Sequence, residues 1–133
     1  MFDHVGIVFR ELKSSGAFYR RVLEQIGIKL LEDHTQSDGT GWLVFGSGAK
    51  EAPFFVVAAG RPSFWTAPNT AAASPAHVAF RAPSRAAVDR FHAVGLECGA
   101  TDNGAPGVRR ECYYCAFLID QDGNNIEAGV YSD

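Results

Sequence analysis

Two histidines sit in apolar, strand-like runs, His4 in DHVGIVF and His77 in AHVAF, and one glutamate, Glu127, sits in NNIEAGVY. A carboxylate within an apolar strand is costly to bury unless it is paired or bound to a metal. Two histidines and one carboxylate form a donor set that suits a divalent transition metal, with positions left open for substrate or water. A lone strand histidine is ordinarily a satisfied core or rim residue, so each needs support from its surroundings. The spacing supplies it. His4 and His77 are 73 residues apart, and the same offset relates Val5 to Val78, Phe18 to Phe91, Leu23 to Leu96 and Glu24 to Glu97. Identities at one offset, at equivalent points of strand and helix, describe a duplicated unit.

Each unit supplies the elements that would hold these residues. From His4, a strand over 2–9 leads into LKSSGAFYRRVLEQIG, where Phe18, Val22 and Ile26 recur at helical spacing and Gly27 suits the stop. Strand-like IKLLEDH, GWLVFGS and PFFVVAA follow, separated by Gly, Asp and Ser breakers. From His77, HVAFRA leads to a helix capped by Ser84, with Ala87, Val88, Phe91 and Val94 on one side and Gly99 as the stop. YYCAFLID and NIEAGVY then form a hairpin across DQDGNN. GATDNGAPGVRR reads mainly as loop with a faint strand, and His92 falls off the apolar stripe, which predicts exposure. Alternation along a strand places Val5, Ile7 and Phe9 towards a helix and His4 on the other face. The same parity groups His77 with Arg81, Glu127 with Asn125 and Gly129, and Tyr113 with Phe117.

Composition narrows the function classes. The chain has 133 residues, 47% hydrophobic and 20% charged, which predicts one domain with a real core. No apolar run reaches the roughly 18 residues of a membrane span, and no basic segment precedes an apolar one, so the expectation is a cytoplasmic protein without membrane association. A net charge of −3 and scattered basic residues argue against nucleic acid as a partner. Cys98, Cys112 and Cys115 are an odd number, which favours reduced thiols, and Cys112 and Cys115 have no second pair for a zinc site. Residues 60–75 read as a linker in which Phe64 and Trp65 suggest packing.

With those residues in place, the sequence resembles the vicinal oxygen chelate superfamily, which includes glyoxalase I, bleomycin-resistance proteins, fosfomycin-resistance thiol transferases and extradiol dioxygenases. The similarity runs from DHVGIVF and FYRRVLEQIGI through AHVAF to DQDGNNIEA. It implies an α+β fold: two βαβββ modules, about 1–59 and 76–133, pairing into a cupped, barrel-like mixed sheet with helices outside. It also implies a divalent metal (Mn, Fe, Zn, Ni or Co) held by His4, His77 and Glu127.

Departures from the family patterns narrow the chemistry. Glyoxalase I has a carboxylate in its first half as well, and the matching position here is Val56; Glu51 lies nearby with the opposite parity. Extradiol dioxygenases carry a tyrosine where this chain has Phe117, and a histidine near 108–110 where it has none. What remains is Lewis-acid chemistry, as a lyase, isomerase or transferase, on a small oxygenated metabolite chelated through adjacent oxygens. Arg81 and Tyr113 are candidate substrate-binding residues, and Arg109 and Arg110 lie in the expected loop. The alternatives are a metal-free, drug-sequestering binder and an extradiol-type dioxygenase. Two arrangements stay open: a cup within one chain, or a homodimer in which His4 of one copy faces His77 and Glu127 of the other.

Overall fold

The computed structural model describes residues 2–48, 52–60 and 76–131. The first half runs β1 (His4–Phe9), α1 (Leu12–Glu24), β2 (Lys29–Thr35), β3 (Gly41–Gly46) and β4 (Phe54–Ala59). The second runs β5 (His77–Arg81), α2 (Arg85–Glu97), β6 (Thr101–Arg110), β7 (Tyr113–Ile119) and β8 (Asn125–Tyr131). The strand orders are β1-β4-β3-β2 and β5-β8-β7-β6, and in both sheets only the first pair is parallel. Two mixed sheets with the same order and one helix each are the duplicated βαβββ unit in an α+β fold. Compact units divide as Met1–Arg20 with Ile28–Ser74, and Arg21–Gly27 with Pro75–Asp133. The Phe64 and Trp65 reading falls outside the described residues, as does Glu51.

Periodicity explains both helices. In α1, Phe18 and Tyr19 are buried, and Tyr19 packs its ring against Phe9 of β1 and Phe55 of β4, with centroids 5.3 and 5.2 Å away. That contact puts the Phe9 face of β1 under the helix, as alternation requires. In α2, Ala87, Val88 and Phe91 are fully buried. Each helix carries a glycine against a leucine of the central part of its sheet, Gly16 on Leu43 and Gly95 on Leu118, where any Cβ would overlap the leucine. A missing side chain lets helix and strand approach closely.

Local signals set the ends. Ser84 accepts the Ala87 N–H at 3.1 Å as the N-cap of α2. Losing that acceptor leaves a first-turn donor without its partner, so Ser84→Ala should lower stability by about 1 kcal/mol, read from the urea midpoint at unchanged slope. Gly27 and Gly99 follow their helices at φ 82° and 93°, a left-handed conformation that glycine adopts without strain. Between β7 and β8 the Asp120 carboxylate accepts the backbone N–H groups of Asp122 and Asn124, both at 2.9 Å, and Gly123 takes φ 87°.

The 99–110 stretch departs from expectation. Most of it is β6, ten residues long and antiparallel to β7, with register irregularities between Asp102 and Gly104, Gly104 and Gly107, and Val108 and Arg110. Bulges of this kind admit residues that break the alternation signal, so the composition read as loop. Two corrections follow from β6. His92 is buried rather than exposed, at 7% accessibility, and its Nε2 lies 3.0 Å from Asp102 Oδ1 on that strand. Arg109 and Arg110 belong to the strand rather than to a loop, with Arg110 donating to the Tyr131 hydroxyl at 2.9 Å.

Candidate functional site

β5 and β8 run parallel with His77 opposite Asn125 and Ala79 opposite Glu127. On that face His77 Nε2 lies 3.3 Å from Glu127 Oε2. The His77 side chain is 52% exposed and that of Glu127 only 8%. The other histidine nitrogen, Nδ1, is 3.1 Å from the backbone carbonyl of Asn125. A carbonyl only accepts, so the geometry assigns the proton to Nδ1 and turns Nε2 towards the carboxylate. An Nε2 lone pair and a carboxylate oxygen this close are two donor atoms that a single cation can take together. Asn125 adds a second sign, for its side-chain Oδ1 is buried with no hydrogen-bond partner. A buried amide oxygen in that state is costly until water or a cation satisfies it.

The strand beside β8 completes this face. Phe117 is opposite Glu127 across β7–β8, and its ring stacks on His77 with centroids 6.4 Å apart. Tyr113 donates its hydroxyl to Glu127 Oε1 at 2.7 Å. Burial, and then this bond, push the Tyr113 phenol well above its ordinary range, so it remains the donor. Cys115 lies between them, fully buried, its thiol pushed up to about 11 by burial and then by the Glu127 charge. All three cysteines are free, and Cys112 occupies the exposed turn before β7 at φ 57°. Arg81, at the end of β5, is exposed.

In the first unit His4 opens β1, its side chain 60% exposed, with Nδ1 2.7 Å from Asp3 Oδ1. A carboxylate behind Nδ1 accepts its proton, orients the ring and leaves Nε2 with its lone pair, an arrangement typical of ligating histidines. Sequence inspection passed over Asp3, although its place directly before His4 was a readable signal. Register settles the Val56 question. Gly6 is opposite Val56 in one sheet as Ala79 is opposite Glu127 in the other, so valine stands where the second unit has its carboxylate. Among the described residues, no group of three or more His, Cys, Asp or Glu side chains is gathered to hold a metal. Within the second unit, the predicted ligands His77 and Glu127 converge.

No protein-family model matches the sequence, and no curated protein does. Solved structures do match. A glyoxalase/bleomycin resistance protein from Albidiferax ferrireducens is 27% identical with a TM-score of 0.75, covering 99% of both chains. The fold is that of the glyoxalase/bleomycin resistance/dioxygenase proteins, consistent with the vicinal oxygen chelate superfamily. Within the superfamily, a glyoxalase/bleomycin resistance protein/dioxygenase family enzyme from Burkholderia phytofirmans has a TM-score of 0.71 at 19% identity, covering 98% of each chain. A lactoylglutathione lyase from Agrobacterium tumefaciens has 0.67 at 18%, covering 98% of this chain and 92% of that one. Vicinal oxygen chelate proteins commonly use divalent metals, and in the second unit the His77 imidazole and the buried Glu127 carboxylate are donors of the kind such an ion takes. No helix among the described residues is long and apolar enough to cross a membrane.

Proposed function

We propose that this protein is a cytoplasmic, divalent-metal-dependent enzyme whose ion is held by His4, His77 and Glu127. Its reaction is a lyase, isomerase or transferase step on a small oxygenated metabolite that binds through adjacent oxygens. The carrying observation is the His77–Glu127 approach of 3.3 Å, with the far nitrogen of the imidazole tied to the Asn125 carbonyl. A ligand-sequestering protein has no use for a buried carboxylate aimed at an imidazole nitrogen, because such a charge costs stability unless a cation offsets it.

The ion would supply Lewis acidity, stabilising negative charge that develops on a substrate oxygen. This chain's own residues do the rest. His77 and His4 present Nε2, each held from behind by an oxygen acceptor. Glu127 supplies the anionic ligand. Arg81, exposed on the His77 face, has the fork geometry to pair with a substrate carboxylate or phosphonate. Phe117 gives the imidazole an apolar wall. Valine at 56 speaks against glyoxalase I chemistry, in which a second carboxylate at the metal serves as base. Phenylalanine at 117 speaks against ring cleavage, since it cannot move a proton.

Metal content of the purified protein, measured by inductively coupled plasma mass spectrometry beside His77→Ala, tests the reading. The expected result is one manganese, iron, zinc, nickel or cobalt per site in the wild type and none in the variant. No metal in either, after incubation with each ion, would overturn it in favour of a metal-free binder.

A further inference from the structure

Tyr113 is opposite Tyr131 across β7–β8, so Gly129 and then Glu127 are the next residues of the same face along β8. To reach Glu127 the phenol must lie back across Gly129. It does so in contact, for a Cβ at Gly129 would overlap the Tyr113 oxygen and two carbons of its ring. Gly129 has no left-handed backbone angle to explain a glycine there, so the space itself is what its missing side chain provides. The ring is held from further along the strands as well. The Arg110 guanidinium carbon is 4.6 Å from the Tyr113 centroid, and the Tyr131 ring is also 4.6 Å away. Arg110 is in turn hydrogen-bonded to Tyr131.

At the end of this arm the Tyr113 hydroxyl occupies Glu127 Oε1, while Oε2 faces His77 Nε2. We propose that Tyr113 is a positioning residue that holds the Glu127 carboxylate with a single oxygen presented to the ion, and that Gly129 is the gap through which it reaches. The proposal rests on the reading that Glu127 is a metal ligand. It assigns Tyr113 to the carboxylate rather than to substrate. Without the hydroxyl, Oε1 loses its donor, and the carboxylate can turn from His77 or offer both oxygens to the ion. Outer partners of this kind typically set metal affinity by about 10–100-fold.

The test is cobalt(II) binding by calorimetry, with the visible spectrum of the bound ion, for the wild type, Tyr113→Phe, Gly129→Ala and the double variant. Tyr113→Phe keeps the ring and removes one oxygen, so it should fold like the wild type by circular dichroism. Both single variants should bind cobalt about 10–100-fold more weakly, with an altered ligand-field spectrum that loss of packing alone would not produce. The double variant should be no worse than Gly129→Ala, because the hydroxyl is already displaced there. Wild-type affinity and spectrum retained in Tyr113→Phe would overturn the positioning role and leave the metal reading standing. A wild type that binds no cobalt would overturn both. Should Gly129→Ala not fold, Tyr113→Phe decides alone.

Discussion

In the Glu127→Gln protein, added divalent metal should no longer raise the melting temperature. In the wild type, an ion that binds only the folded chain stabilises it by about 2.7 kcal/mol at a hundred times its dissociation constant. For a domain of this length that is a shift of several degrees. Glutamine has nearly the same shape and can still accept the Tyr113 hydroxyl, so the fold and its local packing persist. What it loses is the charge, and a neutral amide is a poor ligand for a hard or borderline cation. Without metal the sign reverses. The Glu127 side chain is 8% exposed, and an ionised carboxylate at that depth costs stability that its neighbours repay only in part. The metal-free variant should therefore melt no lower than the metal-free wild type. Scanning calorimetry with and without manganese or zinc reads both effects. An undiminished metal shift in Glu127→Gln would remove Glu127 from the ligand set.

Phe91→Ala should cost about 3–5 kcal/mol, a large share of the roughly 5–15 kcal/mol that holds a typical domain together. Phe91 is completely buried in α2, and truncation leaves a cavity that a sheet of fixed register cannot close. Phe18, its counterpart 73 residues earlier, is 3% exposed, so Phe18→Ala belongs in the same range. Leu96 is the control. It matches Leu23 at the same offset, yet Leu23 is fully buried and Leu96 is 39% exposed. Leu96→Ala should fall well below the phenylalanine variants, at no more than about 1 kcal/mol. Urea unfolding gives all three values, and equal losses at Phe91 and Leu96 would refute the assignment of burial.

That contrast separates what the repeat can tell from what it cannot. A duplication preserves which strand pairs with which, because pairing depends on alternation, turn residues and helix stops that recur along each copy. It does not preserve burial residue by residue, which depends on what covers each helix. His92 shows the same limit. Its place off the apolar stripe was legible, but the strand that covers it, β6, carries glycines, a proline and bulges that hide its period. Once β6 is in place, a histidine that looked solvated becomes a buried partner of Asp102.

The candidate site divides in a similar way. Parity alone grouped His77 with Arg81, Glu127 with Gly129, and Tyr113 with Phe117, each within its own strand, and the β5–β8 and β7–β8 registers set these groups beside one another. Parity is a local property of extended backbone, fixed by the two-residue repeat. Val56 as the counterpart of Glu127 was likewise legible from spacing, and the matching of Gly6 with Ala79 across the two sheets shows it directly.

From its sequence alone this protein was determined to be a duplicated βαβββ chain with two histidines and one glutamate on the faces turned away from its helices. Element order, stops and facing are short-range consequences of residue type. Tertiary structure alone decided how those side chains are held: Asp3 and the Asn125 carbonyl behind the imidazoles, the Tyr113 hydroxyl on Glu127, and Gly129 leaving room for it. Hydrogen bonds and close approaches of this kind join atoms whose separation depends on strand register and side-chain rotamer. A linear pattern records which residues share a face, but not which atoms along it meet.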